Sequence, residues 1–144
     1  MLGDTNYQAD CVGKEPVGAV YVSQAVGVPS GSSTTLSFDY RIFTQDDLAS
    51  GDSFDVYVNQ IVDDSAHHLF TDGNTNPAST GCQNPPTDIF GGWKTGTVSL
   101  SQFAGQTITL FFAEQNRLDG FDVTYIYLDN IGIGSSSSSA VSSW

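Results

Sequence analysis

The side chains most able to do recognition chemistry are aromatic. Trp93 follows Gly91 and Gly92, and Tyr57, Phe111, Tyr125 and Tyr127 recur within short apolar runs. An exposed ring stacks on the C–H faces of a sugar, and planar polar groups beside it take the hydroxyls. Arg41, Asp39, Asp55, Glu114, Asn116 and Arg117 fall on or near the same side as these rings when strand alternation is carried along the chain. Trp93, Tyr57, Tyr125, Tyr127, Arg41 and Asn116 therefore form the candidate ligand-binding set. The same side chains also suit plainer roles. The tyrosines could simply cover a sheet, and Arg41 could pair with Asp39 or Asp55.

Other constellations point away from catalysis. His67 and His68 are adjacent, so on a strand they face opposite ways and do not serve one site. No G-x-S-x-G elbow, phosphate-cradling glycine loop or dinucleotide fingerprint occurs. A glycosidase needs two positioned carboxylates, and nothing singles out such a pair. Asp72-Gly73-Asn74-Thr75-Asn76 resembles half of a calcium-binding loop, but Gln83 stands where the bidentate glutamate belongs. That run is read as a turn, and the chain as a non-enzyme.

Charge narrows the partners further. Lys and Arg number 4 against 16 Asp and Glu, a formal net charge of −12 over 144 residues. Glu15 and Glu114 are the only glutamates, so the acid is aspartate, a residue of turns, caps and hard-cation sites. Phosphate recognition needs a positive footprint, which excludes nucleic acid, and an anionic membrane surface for the same reason. No apolar run is long enough to insert in a membrane. The first residues lack a basic region followed by an apolar stretch, so no signal peptide is read there; if the protein is secreted, its leader is expected to have been removed. Cys11 and Cys82 have neither CxxC nor zinc spacing. They are either two separate buried thiols or one disulfide; the extracellular character of the rest favours the disulfide. It would close a loop of roughly 70 residues, worth about 4 kcal/mol in the chain-entropy model.

Almost everywhere the apolar period is two. Leu36, Phe38, Tyr40 and Ile42 alternate with Ser37, Asp39 and Arg41. Phe54, Val56 and Val58, then Ile108, Leu110 and Phe112, then Ile126 and Leu128 do the same. Ala19, Tyr21, Ser23 and Ala25 alternate with Val20, Val22 and Gln24. These are strands with one face on a core, separated by Pro29-Ser30-Gly31, Ser50-Gly51-Asp52, Asp72-Gly73-Asn74 and Asp119-Gly120. Ile61–Val62, His68–Thr71 and Thr97–Leu100 are shorter candidates, and Ser101 could cap a single helical turn within Ser99–Ala104. An all-β antiparallel sandwich follows. Residues 73 to 92 have no periodicity, and residues 135–144 read as a serine-rich linker or tail after a module spanning 1–134.

The stretches "AVYVSQAVGVPSGSSTTLSFDYRIFTQD", "GDSFDVYVN", "GWKTGTVSLSQFAGQTITLFFAEQNR" and "TYIYLDNIGI" resemble the galactose-binding-domain-like jelly rolls of bacterial carbohydrate-binding modules. The resemblance covers about residues 18–133. It implies a jelly roll and a non-catalytic, polysaccharide-binding module of a secreted or cell-surface multimodular protein. It also implies a structural Ca2+ on the Asp of the closing "DN", which is Asp129, with Asp4, Asn6 and Glu15 as partners near the N-terminus. Asp129 and Asn130 equally suit a strand end held by hydrogen bonds. The "GW" tryptophan, here Trp93, is often a packing residue in such modules. Their usual first strands have no counterpart before "MLGDTNY", so an incomplete N-terminal edge is expected: the chain is cut short there, Leu2–Tyr7 fills the role, or a neighbouring chain supplies a strand. An open edge supports a second reading: a structural or adhesive subunit that self-associates by strand pairing.

Overall fold

The computed structural model describes residues 1–3, 17–30, 33–45, 52–73, 86–116 and 123–136. Cys11, Cys82, Asp4, Asn6, Glu15 and Arg117 lie outside them, so the disulfide and most of the expected calcium partners do too. Nine strands are described: β1 (Leu2–Gly3), β2 (Gly18–Gly27), β3 (Ser33–Thr44), β4 (Asp52–Val58), β5 (His68–Gly73), β6 (Thr87–Asp88), β7 (Lys94–Ser99), β8 (Thr107–Asn116) and β9 (Thr124–Ser136). One sheet runs β1-β9-β3-β6 with β7 also on β3, and the other runs β2-β8-β4-β5. Every pairing is antiparallel. These interleaved orders are those of a jelly roll, a double-sheet sandwich.

The alternating sets read from the sequence face one another across the sandwich. Leu36, Phe38, Tyr40 and Ile42 of β3 meet Phe54, Val56 and Val58 of β4 and Ile108, Leu110 and Phe112 of β8, all nearly inaccessible. Phe38 lies at the centre, with ring centroids of Tyr40, Phe54, Phe70 and Phe112 at 5.2–5.9 Å. Its ring fills the place a side chain would take on Gly96 of β7, whose register partner it is. Ile61 and Val62 belong to a loop rather than a strand. The short 3₁₀ turn is Ser101–Phe103 with Leu100 at its cap and no side-chain capping bond, so Ser101 opens the turn instead of capping it. The last strand continues to Ser136 opposite Ser33, two residues into the expected tail.

The two flanks of the sandwich are closed differently. On one, Lys94 Nζ sits 3.8 Å from the Phe90 ring centroid and 2.6 Å from Asp72 Oδ2, while the Tyr40 hydroxyl donates to the same carboxylate. On the other, β1 covers only Ile126 and Tyr125 of the long β9. Among the described residues no strand pairs with the remaining β9 edge or with the outer edge of β2. A cleft of about 350 Å³ opens there between Val22, Val26, Leu110, Phe112, Ile131 and Ile133. Val20 and Val22 share the inward side with Phe112 but stay about half exposed, at 49% and 48%.

Because the Phe38 ring occupies the Gly96 gap, Gly96→Ala is expected to destabilise the protein by about 1–3 kcal/mol through overpacking. Urea unfolding of the two proteins at equal slope measures the difference.

Candidate functional site

Toward its C-terminal end β3 turns Asp39, Arg41 and Phe43 outward, the other half of the alternation that buries Phe38, Tyr40 and Ile42. Register sets their neighbours. Arg41 stands opposite Tyr127 and Phe43 opposite Tyr125 on β9; Phe43 also faces Asp88 on β6, and Asp39 faces Thr95 on β7. Trp93 directly precedes Lys94, the partner of Tyr40, so it lies level with Arg41 on the far side of β3. Three rows result. The first holds Asp88, Phe43 and Tyr125, the second Trp93, Arg41 and Tyr127, and the third Thr95, Asp39 and the Asp129–Asn130 corner.

The aromatic rows are ordered by contact. Phe43 and Tyr125 stack with centroids 5.1 Å apart and planes 9° from parallel, and Tyr127 meets both edge-on at 5.8 Å. Arg41 lies over the Phe43 ring, its guanidinium carbon 4.7 Å from the centroid. Its Nε and Nη2 both donate to Asp88 Oδ2 at 2.8 Å, which holds the guanidinium flat on the surface. Above this floor Tyr127 is 41% and Trp93 51% exposed.

Polar groups beside the rings are equally fixed. Thr95 Oγ1 donates to Asp39 Oδ1 at 2.6 Å, and Asn130 Nδ2 donates to Asp39 Oδ2 at 2.7 Å. Those two bonds hold the Asp39 carboxyl below the usual carboxylate range, Thr95 contributing more. Asn130 can reach because β9 carries a register shift opposite Phe38 and Asn130 adopts a left-handed backbone with φ 50°.

The candidate residues thus divide. Arg41, Tyr125, Tyr127 and Trp93 come together on one face, and Trp93 is a surface ring instead of a core one. Tyr57 does not join them. It points outward, as alternation requires, but from the other sheet, and it is fully buried. His68 stacks on it at 4.7 Å, its hydroxyl donates to Asp63 Oδ1 at 2.7 Å, and Gln115 Nε2 donates to that hydroxyl at 2.7 Å. Asn116 is also excluded: it shares the inward parity of Phe112 and is 2% exposed. His67 pairs with Asp64 and His68 with Asp55, each at 2.8 Å, so the two imidazoles serve separate carboxylates. Asp129 is exposed, its Oδ1 accepting from the backbone N–H of Asn130 at 2.8 Å. The chain direction of β1 runs from Ile126 toward Tyr125, away from Asp129.

Phe43 and Asp88 complete the surface and were missed from the sequence. Phe43 has the outward parity of Arg41 and could have been found by extending the alternation. Asp88 lies in the aperiodic stretch, where parity gives no guide.

No family model matches the chain, and no curated protein matches it. Among solved structures, the K3 cleaved adhesin domain of Lys-gingipain from Porphyromonas gingivalis W83 aligns at 20% identity with a TM-score of 0.48. The alignment covers 83% of this chain, which spans 66% of that one. Likeness at this level says nothing about what this chain binds.

Burial, the Asp63 hydrogen bond and the Asp55 charge push the Tyr57 hydroxyl above the ordinary tyrosine range. Burial and Asp72 do the same to Tyr40. A raised folded-state pKa contributes stability that is complete below the unfolded value of about 10 and is lost as pH rises through the folded value. Unfolding free energy should therefore hold below about pH 10 and fall progressively as the pH rises above it. Tyrosinate absorbance should show Tyr40 and Tyr57 ionising only on unfolding. Ionisation of all the tyrosines without loss of structure would contradict the burial of both hydroxyls.

Proposed function

We propose that the chain is a non-catalytic carbohydrate-binding module of a secreted or cell-surface protein. The observation that carries this reading is the pair of exposed rings, Trp93 and Tyr127, on either side of an Arg41 already fixed by Asp88 and Phe43. Each ring offers an apolar face to sugar C–H groups. Arg41 Nη groups donate to hydroxyls, and the Asp39 carboxylate and the Asn130 amide accept or donate beside them. Their geometry is set before ligand arrives, so little side-chain entropy is lost on binding. An open, shallow face suits a polymer chain more than a small molecule. A module of this kind keeps whatever it is joined to near its substrate by raising local concentration.

A glycan array followed by affinity electrophoresis in soluble polysaccharide tests this. Retention by at least one polysaccharide class is expected. Trp93→Ala should weaken it by roughly three- to ten-fold, the worth of one ring contact, without lowering the melting temperature, and Tyr127→Ala should weaken it to a similar degree. Absence of retention across the array defeats the reading.

The second reading, a self-associating structural or adhesive subunit, is favoured by one observation: β2. This ten-residue edge strand is exposed along almost its whole length and has no charged residue from Gly18 to Gly27. Natural edge strands are usually blunted by charge, proline or brevity. If strand pairing joins copies, light scattering should show mass rising with concentration, and Val22→Lys should return the protein to monomer. A monomer at every concentration removes this reading.

A further inference from the structure

We propose that the sandwich interior ends in a calcium-class divalent cation site, with Asp52, Glu114 and Asn116 as its side-chain donors. The core set of β4 and β8 is apolar until its last rungs. There Phe54 gives way to Asp52, and Phe112 to Glu114 and Asn116, all on the inward side. Register places Asp52 directly opposite Asn116, and Phe54 opposite Glu114. Directly opposed residues on one face have side chains within contact distance, and Glu114 is two residues from Asn116 on that face. All three are buried: Asp52 is 8%, Glu114 1% and Asn116 2% exposed.

Asn116 is the observation that asks for a ligand. Both its amide nitrogen and its amide oxygen are buried without a hydrogen-bond partner. Buried amides in folded proteins are otherwise almost always satisfied. Its neighbours on the face are the carboxylates of Asp52 and Glu114; Thr124 Oγ1, from the opposite sheet, donates to Asp52 Oδ2, and Thr44 Oγ1 lies 2.7 Å from Thr124 Oγ1. The donors are all hard oxygens, two of them anionic. Such a set selects calcium over zinc, which prefers nitrogen and sulfur. Among the described residues no three His, Cys, Asp or Glu side chains cluster as metal ligands; in the proposed site the third side-chain donor is the Asn116 amide oxygen. The site is distinct from Asp129, which is exposed on the outer face of the other sheet. It is also independent of the glycan-binding surface.

The test is calcium titration of chelator-treated full chain by calorimetry, with thermal melts in calcium and in chelator. One calcium per chain and a higher melting temperature with calcium are expected. Asp52→Asn should weaken binding roughly ten-fold by removing a charge from the donor set. Asn116→Leu should abolish the calcium-dependent shift, whereas Asp129→Asn should leave it unchanged. Asn116→Asp keeps the shape and adds a charge, so it should bind calcium several-fold more tightly; it also decides the matter if Asn116→Leu does not fold. No heat and no shift in the parent chain overturns the proposal. So does a shift that survives Asn116→Leu, an Asn116→Asp affinity that does not change, or an equal shift with magnesium.

Discussion

Phe38 and the missing side chain at Gly96 hold the structure in register. The ring sits among four aromatic neighbours from β3, β4, β5 and β8, and it enters β7 only where a glycine leaves space. A slip of β7 by one residue would put Thr95 or Thr97 against that ring. Packing at one point thereby aligns β7 with β3, and the alignment of β7 sets where Trp93 emerges. The core does not merely support the outer face; it determines which residues stand side by side on it.

β3 transmits this order. It is paired on both edges, with β9 on one and β7 and β6 on the other. Its inner residues build the aromatic core and its outer residues include Asp39, Arg41 and Phe43. Each outer residue is flanked by one neighbour from either side, so the strand acts as the spine of the surface array. The exposed rings, Trp93 and Tyr127, stand at the array's margins. Arg41, Asp88 and Phe43 are bound to one another, and changing one disturbs the others.

Alternation made much of this legible. The inward sets of β3, β4, β8 and β9 follow from period two, and so does the all-β sandwich. Alternation assigns a residue to the inside or the outside, but it does not say which sheet the outside belongs to. Tyr57 and Tyr127 are both outward, yet they stand on opposite faces of the molecule. It also does not say whether a loop lies on top, and the loop after β4 buries Tyr57. Asn116 is a different lesson. Its even parity places it with Ile108, Leu110 and Phe112, and its polarity alone suggested a surface role. The pattern was the better guide, because an amide at an inward position is unusual enough to mean something.

The arrangement of β9 has a mechanical consequence. Leu2 is anchored beside Ile126, near the start of that strand, while Ser136 leaves from its other end beside Ser33. A pull between Leu2 and Ser136 runs along the strand axis. The hydrogen bonds between β9 and β3 lie across that axis, so the load is shared among all of them in shear instead of opening them singly. The two rungs of β1 bear the same load alone and form the weak link. A tensioned chain would thus shed β1 first and keep the β9–β3 pair, with the outer-face array still assembled on it.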